Sequence, residues 1–209
     1  MNKNFIYIGG VIVVIVLLFI WGNSSQNNTK SSFEVGVINP LDHIKGNASS
    51  TVVLMEYSDF QCPACRSYYP MVREIMAKFN DRIVLVYRHF PLISIHPNAE
   101  FAARASEAAN KQGKFWEMHD LLFEKQNEWA KVASVSPMFE SYATLLGISV
   151  DQFKIDFVSE EVKDLVRSQR VHAVKSGLSS TPTFFLNGKK IANPSSFLEF
   201  KKLIEEALK

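Results

Sequence analysis

A chain of 209 residues that is 47% hydrophobic carries enough apolar surface for a real core, and its length fits one domain, or one domain with an insertion. A formal net charge of +2, from 23 basic and 21 acidic residues, leaves no basic tract for nucleic acid and no acidic tail. The only two cysteines, Cys62 and Cys65, form one Cys-x-x-Cys, and the absence of stray thiols agrees with an oxidising compartment.

Phe5 to Trp21 is an apolar run broken only by Gly9 and Gly10. Seventeen helical residues would span roughly 25 Å, at the short end for a bilayer. Lys3 and the amino terminus place positive charge ahead of the run, and Trp21 suits the far interface. Residues 1–22 are therefore expected to be an uncleaved single-pass anchor in the cell membrane, with the bulk of the chain outside. A cleaved signal peptide is the alternative, although no Ala-x-Ala site and no lipobox cysteine follow the run. Residues 23–32, rich in Asn, Ser, Gln and Thr, form a flexible tether by composition. The remaining 33–209 form the folded domain.

Phe33 to Ile38 alternates weakly and suggests a first strand; Asn39 to Ser50, with Pro40 and Gly46, suggests a loop. Thr51 to Tyr57 has the pattern of a buried strand. After a short polar turn, Cys62 to Phe79 is helical, with Pro63 at a position where a missing N–H costs nothing. Ile83 to Phe90 is a second apolar strand, so the three elements make a βαβ unit with parallel strands. From Asn98 to about Gly177 nearly everything has helical spacing, and one long helix is expected between Val150 and Ser176. Strand character returns at Thr183 to Leu186. It is followed by an Asn187-Gly188 hairpin turn, a short strand at Lys189 to Ile191 and a last amphipathic helix from Phe197 to Leu208.

Cys62 thus falls at a helix N-terminus and Cys65 one turn in. Unpaired N–H groups and the positive end of the helix dipole favour a thiolate at Cys62. Cys62 is expected to be the exposed, acidic thiol and Cys65 the shielded one. A structural zinc site needs four ligands, and His43, His89, His96, His119 and His172 share no spacing with the cysteines. A purely structural disulfide here would close too small a loop to restrain the unfolded chain. Glu56 lies among apolar neighbours: it is either an edge-strand acid facing solvent or a desolvated carboxyl able to exchange a proton with Cys65. Asp59 is expected to order the turn. Arg88 and His89 have the look of structural or substrate-rim residues. Phe101, Phe115, Trp116 and Phe123 are assigned to the core of the helical block, and Trp129 to an exposed position.

Cys62-Pro63-Ala64-Cys65 after a strand, together with Thr181-Pro182-Thr183-Phe184-Phe185-Leu186-Asn187-Gly188, resembles the active-site turn and cis-proline hairpin of the thioredoxin fold. The helical block between them, near 92–176, is similar to the insertion of the DsbA-like thiol:disulfide oxidoreductases. Met55 to Cys65 resembles the active-site segment of their membrane-tethered bacterial members. The resemblance covers about Asp42 to Leu208. It implies an α/β thioredoxin-like fold with a helical insertion, Cys62 as nucleophile and Cys65 as resolving thiol. It also implies Glu56 as the family's buried acid, Pro182 as a cis-proline and Thr181 as a source of backbone hydrogen bonds to an extended substrate. Pro63 and Ala64 would tune the pair. Because the prototype carries histidine where this chain has Ala64, a milder oxidant is expected.

The implied activity is introduction of disulfides into reduced extracytoplasmic proteins, with the Cys62–Cys65 disulfide as the only redox group and no cofactor or metal. A membrane quinone-linked thiol oxidase would regenerate it. A disulfide reductase or isomerase, and a tethered peptide-binding chaperone without enzymatic activity, are the alternatives.

Overall fold

The computed structural model describes residues 33–209. The anchor and tether expected over 1–32 lie outside the described residues. Among the described residues, no helix is long and apolar enough to cross a membrane.

Five strands form one mixed sheet in the order β1-β3-β2-β4-β5: β1 His43–Gly46, β2 Val53–Ser58, β3 Val84–His89, β4 Thr183–Leu186 and β5 Lys189–Lys190. β2 and β3 run parallel and are joined by helix α1, Pro63–Phe79, as the βαβ pattern requires. β1 and β4 add to the pair in antiparallel sense. Alternation along β2 sends Leu54, Glu56 and Ser58 to one face and Met55 and Tyr57 to the other. Parallel register sets Glu56 beside Tyr87 and Ser58 beside His89. Leu54 and Leu85 pack under α1 and the last helix, Phe197–Ala207, with Phe184 and Phe200. Met55, Tyr57, Val84 and Val86 fill the opposite side with Ala173 and Leu178. Between β3 and β4 the chain is helical from Ala99 to Lys175, and its aromatic core is continuous with Cys62, Cys65 and Phe60.

Four expectations are corrected. First, 39–50 contains the edge strand β1. Its His-Ile-Lys-Gly sequence has no strand pattern of its own, and the strand exists because its backbone pairs with β3 from His43↔Tyr87 to Gly46↔Val84. Second, 33–38 is irregular apart from one Glu34↔Val37 bridge. Arg88 holds this stretch instead. Its guanidinium is fully buried and donates to the carbonyls of Glu34 (2.6 Å) and Val37 (2.7 Å), to both Asp42 oxygens (2.7 Å each) and to the Tyr57 hydroxyl (2.8 Å). Arg88 is thus structural.

Third, the single helix expected over 150–176 is two, Val150–Val158 and Glu160–Lys175. Ser159 leaves helical geometry at ψ 148° and its hydroxyl caps Val162 N–H, so N-cap chemistry wins over the continuing apolar period. Fourth, Trp129 is fully buried, with its indole N–H on the Leu122 carbonyl at 2.9 Å, whereas Phe101 is 39% exposed. Phe115 and Phe123 are buried as expected, and Trp116 is partly so.

Candidate active site

The carboxyl ends of β2 and β3 deliver the site, as parallel strands do in open α/β sheets. The turn 59–62 follows β2 directly. The Asp59 carboxylate accepts the Gln61 N–H at 2.7 Å, and its carbonyl accepts the Cys62 N–H at 3.0 Å, so Asp59 orders the turn. Cys62 is the N-cap residue of α1 in extended geometry (φ −70°, ψ 122°), Pro63 follows inside the first turn, and Pro63 and Ala64 are exposed. The Thr181–Pro182 peptide is cis, and the Cys62 thiol donates to the Thr181 carbonyl at 3.4 Å. The α1 terminus and the start of β4 therefore meet at Cys62. Both cysteines are free thiols. Cys62 is more covered than the sequence suggests, at 6% exposed, but Cys65 is sealed at 0%.

Environment separates the two sulfurs. Cys62 is drawn down to about 5, chiefly by the Cys65 thiol. Thr181 and the backbone N–H groups of Cys65 and Ala64 add to this, against a burial cost. Cys65 is pushed well above the ordinary thiol value by burial, then by Cys62 and by Glu56. Glu56, 4% exposed on a central strand, is raised to about 7 by burial, with Ser58 easing the shift slightly. The solvent-facing alternative for Glu56 is excluded, since β2 lies between β3 and β4. The inner end of Glu56 borders a cavity of about 380 Å³ between α1 and the helix Phe115–Glu124, where Lys45, Tyr69, Trp116 and His119 also reach the wall.

Three buried hydroxyls near the dithiol, Ser58 Oγ, Tyr87 OH and Thr181 Oγ1, have no hydrogen-bond partner. Ser58 and Tyr87 share the Glu56 face of the sheet, and Thr181 adjoins Cys62. Buried polar groups are rarely left orphaned, and these are where a thiolate or an ionised carboxyl would accept from them. Sequence reasoning missed Ser58 and the Thr181 hydroxyl. The i, i+2 spacing of Glu56 and Ser58 on one strand was the available signal.

Sequence reasoning also missed the grip of the helical insertion on the turn. Gln126 donates from Nε2 to the carbonyls of Phe60 (2.6 Å) and Cys62 (3.0 Å). Gln61 donates to the Ala130 carbonyl and accepts from the Asn98 N–H, each at 2.6 Å. His96 contacts Asp59 through Nδ1 at 2.7 Å.

His43, His89 and Glu107 bring ligand-type atoms within 4.8 Å of one another, the one such group among the described residues. Both Nε2 atoms already bond a single Glu107 oxygen, at 2.7 and 2.8 Å. Burial would raise the Glu107 carboxyl, but the two imidazoles outweigh it and hold it at about 2. The two Nε2 atoms are thus taken up by Glu107, while the buried His89 Nδ1 has no hydrogen-bond partner.

The fold and the Cys62–Cys65 pair at the head of α1 together define a protein of thioredoxin architecture. The chain belongs to the thioredoxin family, whose model matches residues 39–206. In fold it is similar to BdbD from Bacillus subtilis, at TM-score 0.71 and 24% identity over 80% of this chain and 92% of that one. It is likewise similar to alpha-DsbA1 from Wolbachia pipientis, at TM-score 0.74 and 19% identity over 84% and 96%.

In sequence it is 37% identical over 153 residues to the Na(+)/H(+) antiporter NhaA 3 of Salinispora tropica, covering 73% of this chain and 22% of that protein. It is 41% identical over 157 residues to the Na(+)/H(+) antiporter NhaA 1 of Mycobacterium sp. (strain KMS), covering 73% and 24%. The chain spans less than a quarter of the length of these curated relatives.

Proposed function

We propose that this protein is an extracytoplasmic thiol oxidase, held at the cell membrane by residues 1–22, that introduces disulfides into reduced secreted or membrane proteins. The observation that carries the reading is the placement of the two sulfurs, Cys62 at the N-terminus of α1 against the Thr181 carbonyl and Cys65 fully buried: a Cys62 thiolate stabilised at a helix terminus favours the reduced protein and so makes the disulfide oxidising.

A substrate thiolate attacks Cys62 Sγ of the Cys62–Cys65 disulfide. The S–S bond breaks, Cys65 leaves with the electron pair, and a mixed disulfide forms at Cys62. Cys65 is too basic to remain a thiolate, and it takes the proton that Glu56 holds near neutrality. The Ser58 hydroxyl, on the Glu56 face of the sheet, favours the ionised form of both groups. A second substrate thiolate then attacks the substrate sulfur of the mixed disulfide. Cys62 departs as the better leaving group, and the substrate keeps its disulfide. Backbone groups at Thr181, next to the cis Pro182 and against Cys62, would pair with an extended substrate segment. Glu56 recovers its proton through the adjoining cavity. Reoxidation of Cys62 and Cys65 is assigned to a membrane quinone-linked thiol oxidase. The apolar run Phe5–Trp21 and the confinement of cysteine to the active pair support the location.

The test is the reduction potential of the couple, read by equilibration with glutathione. An oxidase falls towards the DsbA value of about −120 mV, and a value near −270 mV, that of thioredoxin, would reassign the protein as a reductant. In the same samples, brief alkylation of the reduced protein at about pH 6 should label Cys62 alone. Equal labelling of Cys65 would overturn the division of roles.

A further inference from the structure

Asp59 places a carboxylate, fully buried at its side chain, under the turn that presents Cys62. By itself such an anion opposes a thiolate three residues on. Its oxygens accept from the Gln61 and Leu92 N–H groups, and its one side-chain partner is His96, whose Nδ1 lies 2.7 Å from Oδ2. His96 comes from the segment between β3 and the first insertion helix, Ala99–Asn110, and its side chain is 15% exposed. The Pro63-Ala64 dipeptide contributes no cation.

We infer that His96 is a positioning residue for thiol exchange: its imidazolium neutralises Asp59 and thereby lets Cys62 persist as a thiolate, a task the dipeptide between the cysteines cannot perform. The inference rests on Cys62 being the nucleophile and does not depend on the direction of exchange.

The groups facing the imidazole are Asp59 and Cys62, and both raise its pKa: the Asp59 hydrogen bond is the largest cause, and burial opposes it. Asp59 also bears on Tyr87 and on His89. His89 cannot serve as the counter-charge, because burial holds it below the ordinary histidine value. As pH rises through the folded His96 value the imidazolium is lost, no cation offsets the Asp59 charge below the turn, and the disulfide becomes less oxidising.

Linkage makes the effect measurable in the unaltered chain. Whatever the imidazolium does for the Cys62 thiolate, the thiolate does for the imidazolium. NMR titration of His96 in the full-length protein should give a pKa lower in the disulfide form than in the dithiol form, by about one unit. Coincident titrations would overturn the inference, whatever the fate of any variant.

The second arm follows the thiolate by ultraviolet absorbance. His96→Gln should raise the Cys62 pKa by about one unit and make exchange with glutathione about tenfold less oxidising, or about 30 mV. In the Asp59→Asn background the same substitution should have little effect, and a full effect there would overturn the route through Asp59. His96→Lys should keep the low Cys62 pKa, and its failure to do so would count against charge as the agent. A strongly reducing potential with the His96 linkage intact would sink the oxidase reading alone.

Discussion

Glu56 shows how one residue ties stability to chemistry. Its carboxyl titrates near 7 in the fold and at 4.5 when free, so the folded state favours the proton. The stability that the protonated form confers is complete below about 4.5 and is lost as pH rises through about 7. A difference of that size corresponds to roughly 3 kcal/mol. Glu56→Gln in the oxidised protein should therefore raise stability by about 2–3 kcal/mol at high pH and leave it unchanged in acid, as read by urea denaturation at both. If Glu56 supplies the Cys65 proton as proposed, the same variant should also slow thiol exchange. A pH-independent change in stability would show that Glu56 ionises freely. Its burial was legible from the apolar neighbours on one strand. The Ser58 hydroxyl beside it was not, because an orphaned partner is visible only once the strand faces are packed.

At the scale of elements, the pieces legible in the sequence are those whose information is local. The strand before Cys62, the Pro63-initiated helix and the Asn187-Gly188 hairpin each carry their own apolar period or turn chemistry. β1 was illegible because four residues of mixed polarity become a strand only by docking on β3, and the Ser159 break was masked by apolar spacing on both sides of it. The stretch 33–42 depends on a single side chain. Arg88→Met should cost about 3–5 kcal/mol, since it leaves Asp42 buried without its partner, and chemical denaturation measures the loss directly.

Gly36 marks a second contact of the same stretch, against the hairpin. It sits at φ +78°, and a Cβ there would fall 2.2 Å from the Gly188 Cα. Gly36→Ala should push the segment off the β4–β5 hairpin, giving chemical-shift changes around Lys189, whereas an unperturbed hairpin would show that the approach is not tight.

At the scale of the molecule, the helical insertion and the sheet share one aromatic core, and the turn that presents Cys62 is bonded from both. Thermal unfolding of the folded region should be a single transition, with calorimetric and van't Hoff enthalpies in agreement. Two resolved transitions would mean that the insertion folds on its own. The site was legible in outline, because Cys-x-x-Cys and Thr-Pro mark it in the sequence. Its supports were not legible, because Gln126 and Asn98 lie 64 and 37 residues along the chain from the groups they hold.

The two hydrogen bonds from Gln126 to the backbone of Phe60 and Cys62 also bear on modularity. An insertion that merely decorated a thioredoxin sheet could be excised or exchanged between relatives as a cassette. Here the cassette holds the floor of the turn that carries Cys62. A graft that kept every residue from Cys62 to Cys65 but replaced the helices would transplant the motif without its geometry. An exchange that preserved the geometry would have to carry the turn and its insertion together.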